Sequence, residues 1–228
     1  MCANLMITSF LITGGPVVWL LALFSVIATT VILLKIWQFW VDKRLNSNIP
    51  DRALLALEDN SPAQARLLLQ GSRNPQSRVL LRAIQLHDEA ALTADEARVE
   101  SWRCARAETG ELGSSLRILE VIANLAPLLG LFGTVLGMIE AFRAMEAAGA
   151  RVDPSILSGG IWQALLTTAV GLGVAIPVSI AHSWLERRVE VEAAGMQDKL
   201  ERLMTYYCTN EGGAPKQATT SKNHNKHA

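Results

Sequence analysis

Charged and apolar residues along this chain separate into long blocks rather than short alternations. Nineteen consecutive residues from Pro16 to Leu34 carry no charge, a second uncharged run goes from Val121 to Ile139, and a third, of thirty residues, goes from Ile156 to Leu185. About 20 apolar helical residues at ~1.5 Å each cross a hydrocarbon core of ~30 Å, so each run predicts a membrane-spanning helix. The pattern predicts an all-α integral membrane protein with three spans and long helices extending into the cytoplasm. Its parts are an outward N-terminal segment 1–15, transmembrane helices 16–40, 118–143 and 157–185, a cytoplasmic helical region 41–117, a short periplasmic loop 144–156, a cytoplasmic helix extension 186–208 and a disordered tail 209–228.

The charges between the runs predict the orientation. Lys35, Lys43 and Arg44 follow the first run, Arg103, Arg106 and Arg117 precede the second, and Arg187 and Arg188 follow the third. Basic flanks stay on the cytoplasmic side, which puts the N-terminus and the segment near Arg143 to Ser155 outside and the C-terminus inside. A cleaved secretory signal would begin with a positive segment, whereas no charge precedes Lys35.

The region 41–117 is too small, and too broken by Pro50, Pro62 and Pro75, for an independent enzyme core. A short helix is expected from Pro62 with Ser61 as its N-cap, then a break at Asn74-Pro75. From Ser77 to about Arg106 leucines and alanines recur at helical spacing, a pattern able to continue into the second span. Glu186 to Tyr207 reads as an amphipathic continuation of the third helix, with Val189, Met196, Leu200 and Leu203 on one face.

Composition removes several classes. Lys plus Arg and Asp plus Glu number 21 each, so no excess positive charge is available for a nucleic-acid backbone. Cys2, Cys104 and Cys208 are widely spaced, without a CxxC pair or histidines at ligand spacing, and read as free thiols. His224 and His227 lie in the polar tail, where a solvated end outweighs a metal site. No cofactor, metal centre or covalent catalytic motif is expected.

Chemistry concentrates in the second and third runs. Gly130, Gly133 and Gly137 fall on one side of a helix, where missing side chains permit close helix approach; they lack the lysine and preceding strand of a phosphate loop. Pro127 frees a backbone carbonyl inside the helix, which reads as a kink. Thr134 has two uses open to it, a bond back to its own helix or a place on a polar surface. Counted inward from Arg143 and Leu157, Thr134 is 9 residues deep and Thr168 is 11, or roughly 14 and 17 Å by helical rise. The two hydroxyls therefore sit at similar depth. Gln163 lies nearer the outside and needs a hydrogen-bond partner. Glu140, near the outer end of the second helix, either snorkels to water beside Arg143 or draws protons to a pore entrance. The tryptophans Trp19, Trp37, Trp40, Trp162 and Trp184 sit toward span ends as interfacial anchors.

The stretches LAPLLGLFGTVLGMIEAF and GGIWQALLTTAVGLGVAIP resemble the paired signatures of the ExbB/TolQ/MotA proton-channel family, in the second and third of three spans. The likeness is strong from about Leu112 to Arg188; over residues 1 to 110 only the layout agrees. It implies an ExbB-like subunit of the bacterial inner membrane, assembled as a ring, in this family a pentamer, around a dimer of a single-span partner. That ExbD-like or TolR-like partner would supply an aspartate, and a TonB-like protein would receive the work. The resemblance assigns Thr134, Thr168 and Gln163 to the proton pathway and Pro127, Gly130, Gly133, Gly137, Gly171 and Pro177 to helix shaping and packing. The family usually has glutamate where this chain has Gln163, so no acidic role transfers to that position.

The residues support a borrowed acid independently. The uncharged runs contain no Asp, Glu or Lys; only hydroxyls, Gln163 and His182 remain, threonine does not ionise at ordinary pH and His182 is close to the inner interface, so these spans can guide a proton or water but not store a proton midway. Three readings stay open: an ExbB-like subunit energising outer-membrane import, a TolQ-like or flagellar-type motor subunit with another load, and a passive membrane scaffold.

Overall fold

The computed structural model describes residues 15–46, 48–59, 61–72, 74–88, 92–148 and 154–212. Residues 1–14 of the expected outward segment with Cys2, residues 149–153 of the expected short loop, and the polar tail from 213 onward with His224 and His227 lie outside these; 144–148, 154–156 and 209–212, expected as loop and tail, are helical. Among the described residues the secondary structure is helical throughout: α1 Gly15–Asn46, α2 Ile49–Glu58, α3 Pro62–Leu69, α4 Pro75–Asp88, α5 Ala94–Ser114, α6 Leu116–Ala148 and α7 Pro154–Gly212. Among the described residues three helical stretches, Gly15–Trp40, Ala94–Ala147 and Ser158–Thr209, are long and apolar enough to cross a membrane, and each includes all or nearly all of one uncharged run.

The chain divides into two compact units, Met1–Leu45 with Arg106–Ala194 and Asn46–Ala105 with Gly195–Ala228. In the first, α1 buries a narrow stripe of Val17, Val18, Leu21 and Ala28, while Trp19, Leu23, Val26, Leu33 and Trp37 stay exposed. An apolar exterior is what lipid or a second membrane helix would cover. Val17 and Leu21 form one cluster with Ala126 and Ala175, and Leu129, Leu136, Val170 and Val174 pack around it. Helices α6 and α7 run through Pro127 and Pro177 without interruption.

In the second unit, short helices pack through leucines and alanines. Pro50 and Pro62 open α2 and α3, where the missing N–H is no loss. Leu54, Leu57, Leu69, Leu80 and Ile84 are buried, as are Met196, Leu200 and Leu203 of α7. The stacked rings of His87 and Tyr207, 4.0 Å apart, and the pairs Lys199–Asp51 at 3.3 Å and Arg202–Glu58 at 3.1 Å add to these contacts. Ion pairs whose carboxylates are open to water contribute little, about 0–1 kcal/mol each, so the apolar face carries the stability.

Two local expectations change. Ser61 sits at the N-cap position of α3, but its side chain makes no capping bond; its hydroxyl donates to the Asp59 carbonyl at 3.4 Å while its own carbonyl accepts from Gln64 and Ala65. Instead Asn74 caps the next helix, its Oδ1 accepting from the Gln76 N–H at 2.9 Å. The helical pattern from Ser77 also does not run on unbroken, because a capping box starts a new helix at Ala94. The Glu96 carboxylate accepts from the Thr93 N–H at 2.9 Å and hydroxyl at 2.8 Å, and the Thr93 hydroxyl in turn accepts from the Glu96 N–H at 3.3 Å. The Thr93 backbone bond, then its hydroxyl, holds the Glu96 carboxyl below its ordinary range. That contribution is present above the ordinary carboxylate pKa and disappears as pH falls through the lowered one. Thr93→Ala should speed amide exchange in the first turn of α5 severalfold and leave α4 unchanged.

Candidate functional site

The second and third spans meet along a seam of small residues. A Cβ built on Gly160 would lie 2.5 Å from the Ala141 Cβ, one on Gly137 would lie 3.1 Å from the Ala164 Cβ, and one on Gly133 would lie 2.6 Å from the Thr167 Oγ1. Further along, Gly171 would meet the Ala126 carbonyl oxygen at 2.7 Å and the Gly130 Cα at 3.0 Å. Residue numbers fall on α6 as they rise on α7, so the helices are antiparallel, and the glycines at 130, 133, 137 and 171 let the backbones nearly touch.

Hydroxyls finish this seam. Thr167 is buried and donates to the Ala164 carbonyl at 2.7 Å, with the Gly130 carbonyl at 3.4 Å. Thr168, partly buried, donates across the seam to the same Gly130 carbonyl at 3.2 Å. Thr134 donates to the Leu131 carbonyl of its own helix at 2.6 Å. Each threonine spends its proton on a carbonyl and keeps oxygen lone pairs for a water or an incoming acid.

The register sets the two threonines at similar height. Gly133 faces Thr167, so Thr134 and Thr168, each one position on in opposite directions along the axis, differ in height by about two residue rises, ~3 Å. At ~100° per residue both point about 60° off the centre of the seam, to the same flank of the helix pair. The opposite flank, with Leu129, Leu136, Val170 and Val174, packs against α1. Gln163 lies on this second flank: its Nε2 would be 3.8 Å from a Cβ on Gly15, the left-handed first residue of α1 (φ 68). Helix geometry thus brings Thr134 and Thr168 together and sets Gln163 apart, beside the start of α1. Glu140 is exposed near the far end of α6, and Pro177 is exposed on α7 while Pro127 is partly covered.

Two residues were not singled out from the sequence. Thr167 shares the small-residue spacing of Ala164, Gly171 and Ala175, which marks it as part of the seam. Lys35, a basic flank by sequence, is buried, with its Nζ 2.9 Å from the Leu112 carbonyl.

These features define a multi-pass helical membrane protein whose second and third spans pack closely around paired hydroxyls. Residues 71–198, more than half of the 228-residue chain, match the MotA/TolQ/ExbB proton channel family. The chain belongs to that family and is ExbB-like. It is 36% identical over 100 residues to the biopolymer transport protein exbB1 of Vibrio cholerae, covering 42% of this chain and 40% of that one. Against ExbB of Helicobacter pylori the identity is 43% over 81 residues, 36% of this chain and 55% of the relative. The Tol-Pal system protein TolQ of Haemophilus influenzae is 38% identical over 82 residues, 36% of each chain. The matched segments thus span about half or less of these relatives.

Proposed function

We propose that this chain is an ExbB-like subunit of a proton-driven complex in the bacterial inner membrane. The N-terminus faces the periplasm and the C-terminus the cytoplasm. Several copies, five by likeness to the family, surround a dimer of a single-span ExbD-like partner whose aspartate carries the proton past Thr134 and Thr168. The load is a TonB-like protein that energises outer-membrane import.

The observation that carries this reading is the pairing of Thr134 and Thr168 at similar height on one flank of a seam whose uncharged runs hold no carboxylate or lysine and only one histidine, His182, toward the inner end of the third span. Hydroxyls with free lone pairs can hand a proton on, but a group able to hold it must come from another chain. Each proton crossing releases about 2.3 kcal/mol per 100 mV, so a few crossings suffice to turn or pull the partner between equivalent faces of a ring. Relatives named TolQ support a second reading, the same motor coupled to envelope maintenance.

The test is purification of the tagged full-length chain from native membranes. A small co-purifying protein with one membrane helix bearing an aspartate is expected, and reconstitution of both should give proton flux down an imposed potential. Recovery of the chain without such a partner, and without flux, would leave a passive scaffold as the function. The receptor or division protein associated with the recovered complex separates the ExbB-like load from the TolQ-like one.

A further inference from the structure

The first charged residue of the chain is not where a flanking lysine belongs. Leu21, Ala28 and Lys35 fall seven residues apart on the same buried stripe of α1, and Lys35 is only 6% exposed. An apolar side chain would fit that spacing, and a lysine near the end of a span ordinarily extends its amine to the headgroups. Here the amine turns inward, to the carbonyl of Leu112, itself buried. A buried ammonium is retained only where something answers its charge.

The answer lies at a joint. Leu112 is in the last turn of α5, where carbonyls lack intrahelical donors and carry the negative end of the helix dipole. A turn at Ser115 then separates α5 from α6, the helix that holds Pro127, Gly130 and Thr134. Leu112, Leu116 and Leu119 stay buried through the turn, so packing continues where the helix does not. Gly110 and Gly113 sit in the same stretch, yet among the described residues a Cβ at either would meet nothing within 4 Å. Unlike the seam glycines they serve no close approach; their effect is to loosen the backbone next to the turn.

We propose that Lys35 is a positioning residue that latches the α5–α6 joint by capping the Leu112 carbonyl, fixing the end of α6 and hence the setting of Thr134. A lysine suits this because its charge favours the helix C-terminus and its length spans the gap from α1. Filling the stripe with a hydrophobic residue would keep the packing and release the joint.

Amide hydrogen exchange on the full chain in lipid nanodiscs tests the latch. Lys35→Met, similar in volume, should raise exchange around Ser114 to Arg117 by about tenfold while the core of α6 near Gly133 keeps its protection. Lys35→Arg should stay within about twofold of the parent, because the guanidinium can reach the same carbonyl. The decisive variant adds Gly110→Ala and Gly113→Ala to Lys35→Met: both methyls have room, both stiffen the helix, and exchange at the joint should return toward the parent value. Unchanged exchange in Lys35→Met, or failure of the alanine pair to restore it, overturns the latch. If Lys35→Met does not assemble, assembly of the triple variant supports the latch and its failure overturns it. Because the readout is local opening rather than transport, it stands or falls separately from the proton-driven function; a matching loss and recovery of energised transport would rest on that function as well.

Discussion

Thr168→Val is expected to fold and assemble like the parent and to drive no energised transport. Valine keeps the branched shape of threonine and removes only the hydroxyl. The bond lost is the 3.2 Å contact with the Gly130 carbonyl, worth about 1 kcal/mol, too little to undo the seam. What disappears is an oxygen with free lone pairs, on the flank away from α1, where a partner acid would need a polar surface to slide along. Thr134→Val should behave alike, with still less structural cost, since its hydroxyl bonds only to its own helix. Thr167→Val supplies the contrast. That hydroxyl is buried inside the seam against Ala164 and Gly130, so its loss should lower thermal stability measurably and leave proton-dependent transport largely intact. Transport by Thr134→Val and Thr168→Val at parental rates, with assembly confirmed, would remove these residues from any pathway. A pattern with only Thr167→Val inactive would instead make the seam's rigidity the requirement.

How much of this was readable beforehand depended on whether a feature follows from one helix or from two. The spans did, because nineteen or more residues without a charge have few other uses in a chain of this size. The seam also did, since Gly130, Gly133 and Gly137 share a face whatever they pack against. The similar depth of Thr134 and Thr168 followed from counting inward from the run ends, and the Gly133–Thr167 contact gives the same relation by a different route. Gln163 shows where this stops. Its polarity was plain, but whether it shares the threonines' flank depends on which side of the α6–α7 pair α1 covers, and no periodicity encodes that.

Other features are present in the sequence but masked by its even periodicity. Thr93 and Glu96 have capping-box spacing ahead of α5, yet the surrounding helical periodicity is so even that the break is hard to see. The joint at Ser115 is hidden for the same reason: Leu112, Leu116 and Leu119 keep the apolar face in phase across it. Lys35 was visible as the next member of a Leu21, Ala28 series, but positive charge after an apolar run is so regularly a topology signal that its spacing drew no weight. Charge indicated the side of the membrane; the spacing indicated burial, and both bear on the same residue.

The largest structural effect is expected from one methyl group. At Gly171 a Cβ would fall 2.7 Å from the Ala126 carbonyl oxygen and 3.0 Å from the Gly130 Cα. Both obstacles are backbone, so no rotamer change relieves them, and α6 and α7 must separate. A gap of 0.5–1 Å forfeits roughly a quarter to a half of each dispersion contact along it. In a membrane that packing is what holds helices together, because lipid offers no hydrophobic penalty for leaving. Gly171→Ala should therefore cost about 1–3 kcal/mol, the usual range for overpacking, and stretch the Thr168 bond to Gly130 as well. Gly173, two residues on, is exposed, and no described residue lies within 4 Å of a Cβ built there. Gly173→Ala adds the same atom to the same helix and should leave stability equal or slightly raised. Thermal unfolding of the two purified proteins in one detergent gives the comparison directly. A Gly171→Ala protein as stable as its Gly173→Ala counterpart would mean that α6 and α7 do not meet on this face, and the setting of Thr134 beside Thr168 would go with it.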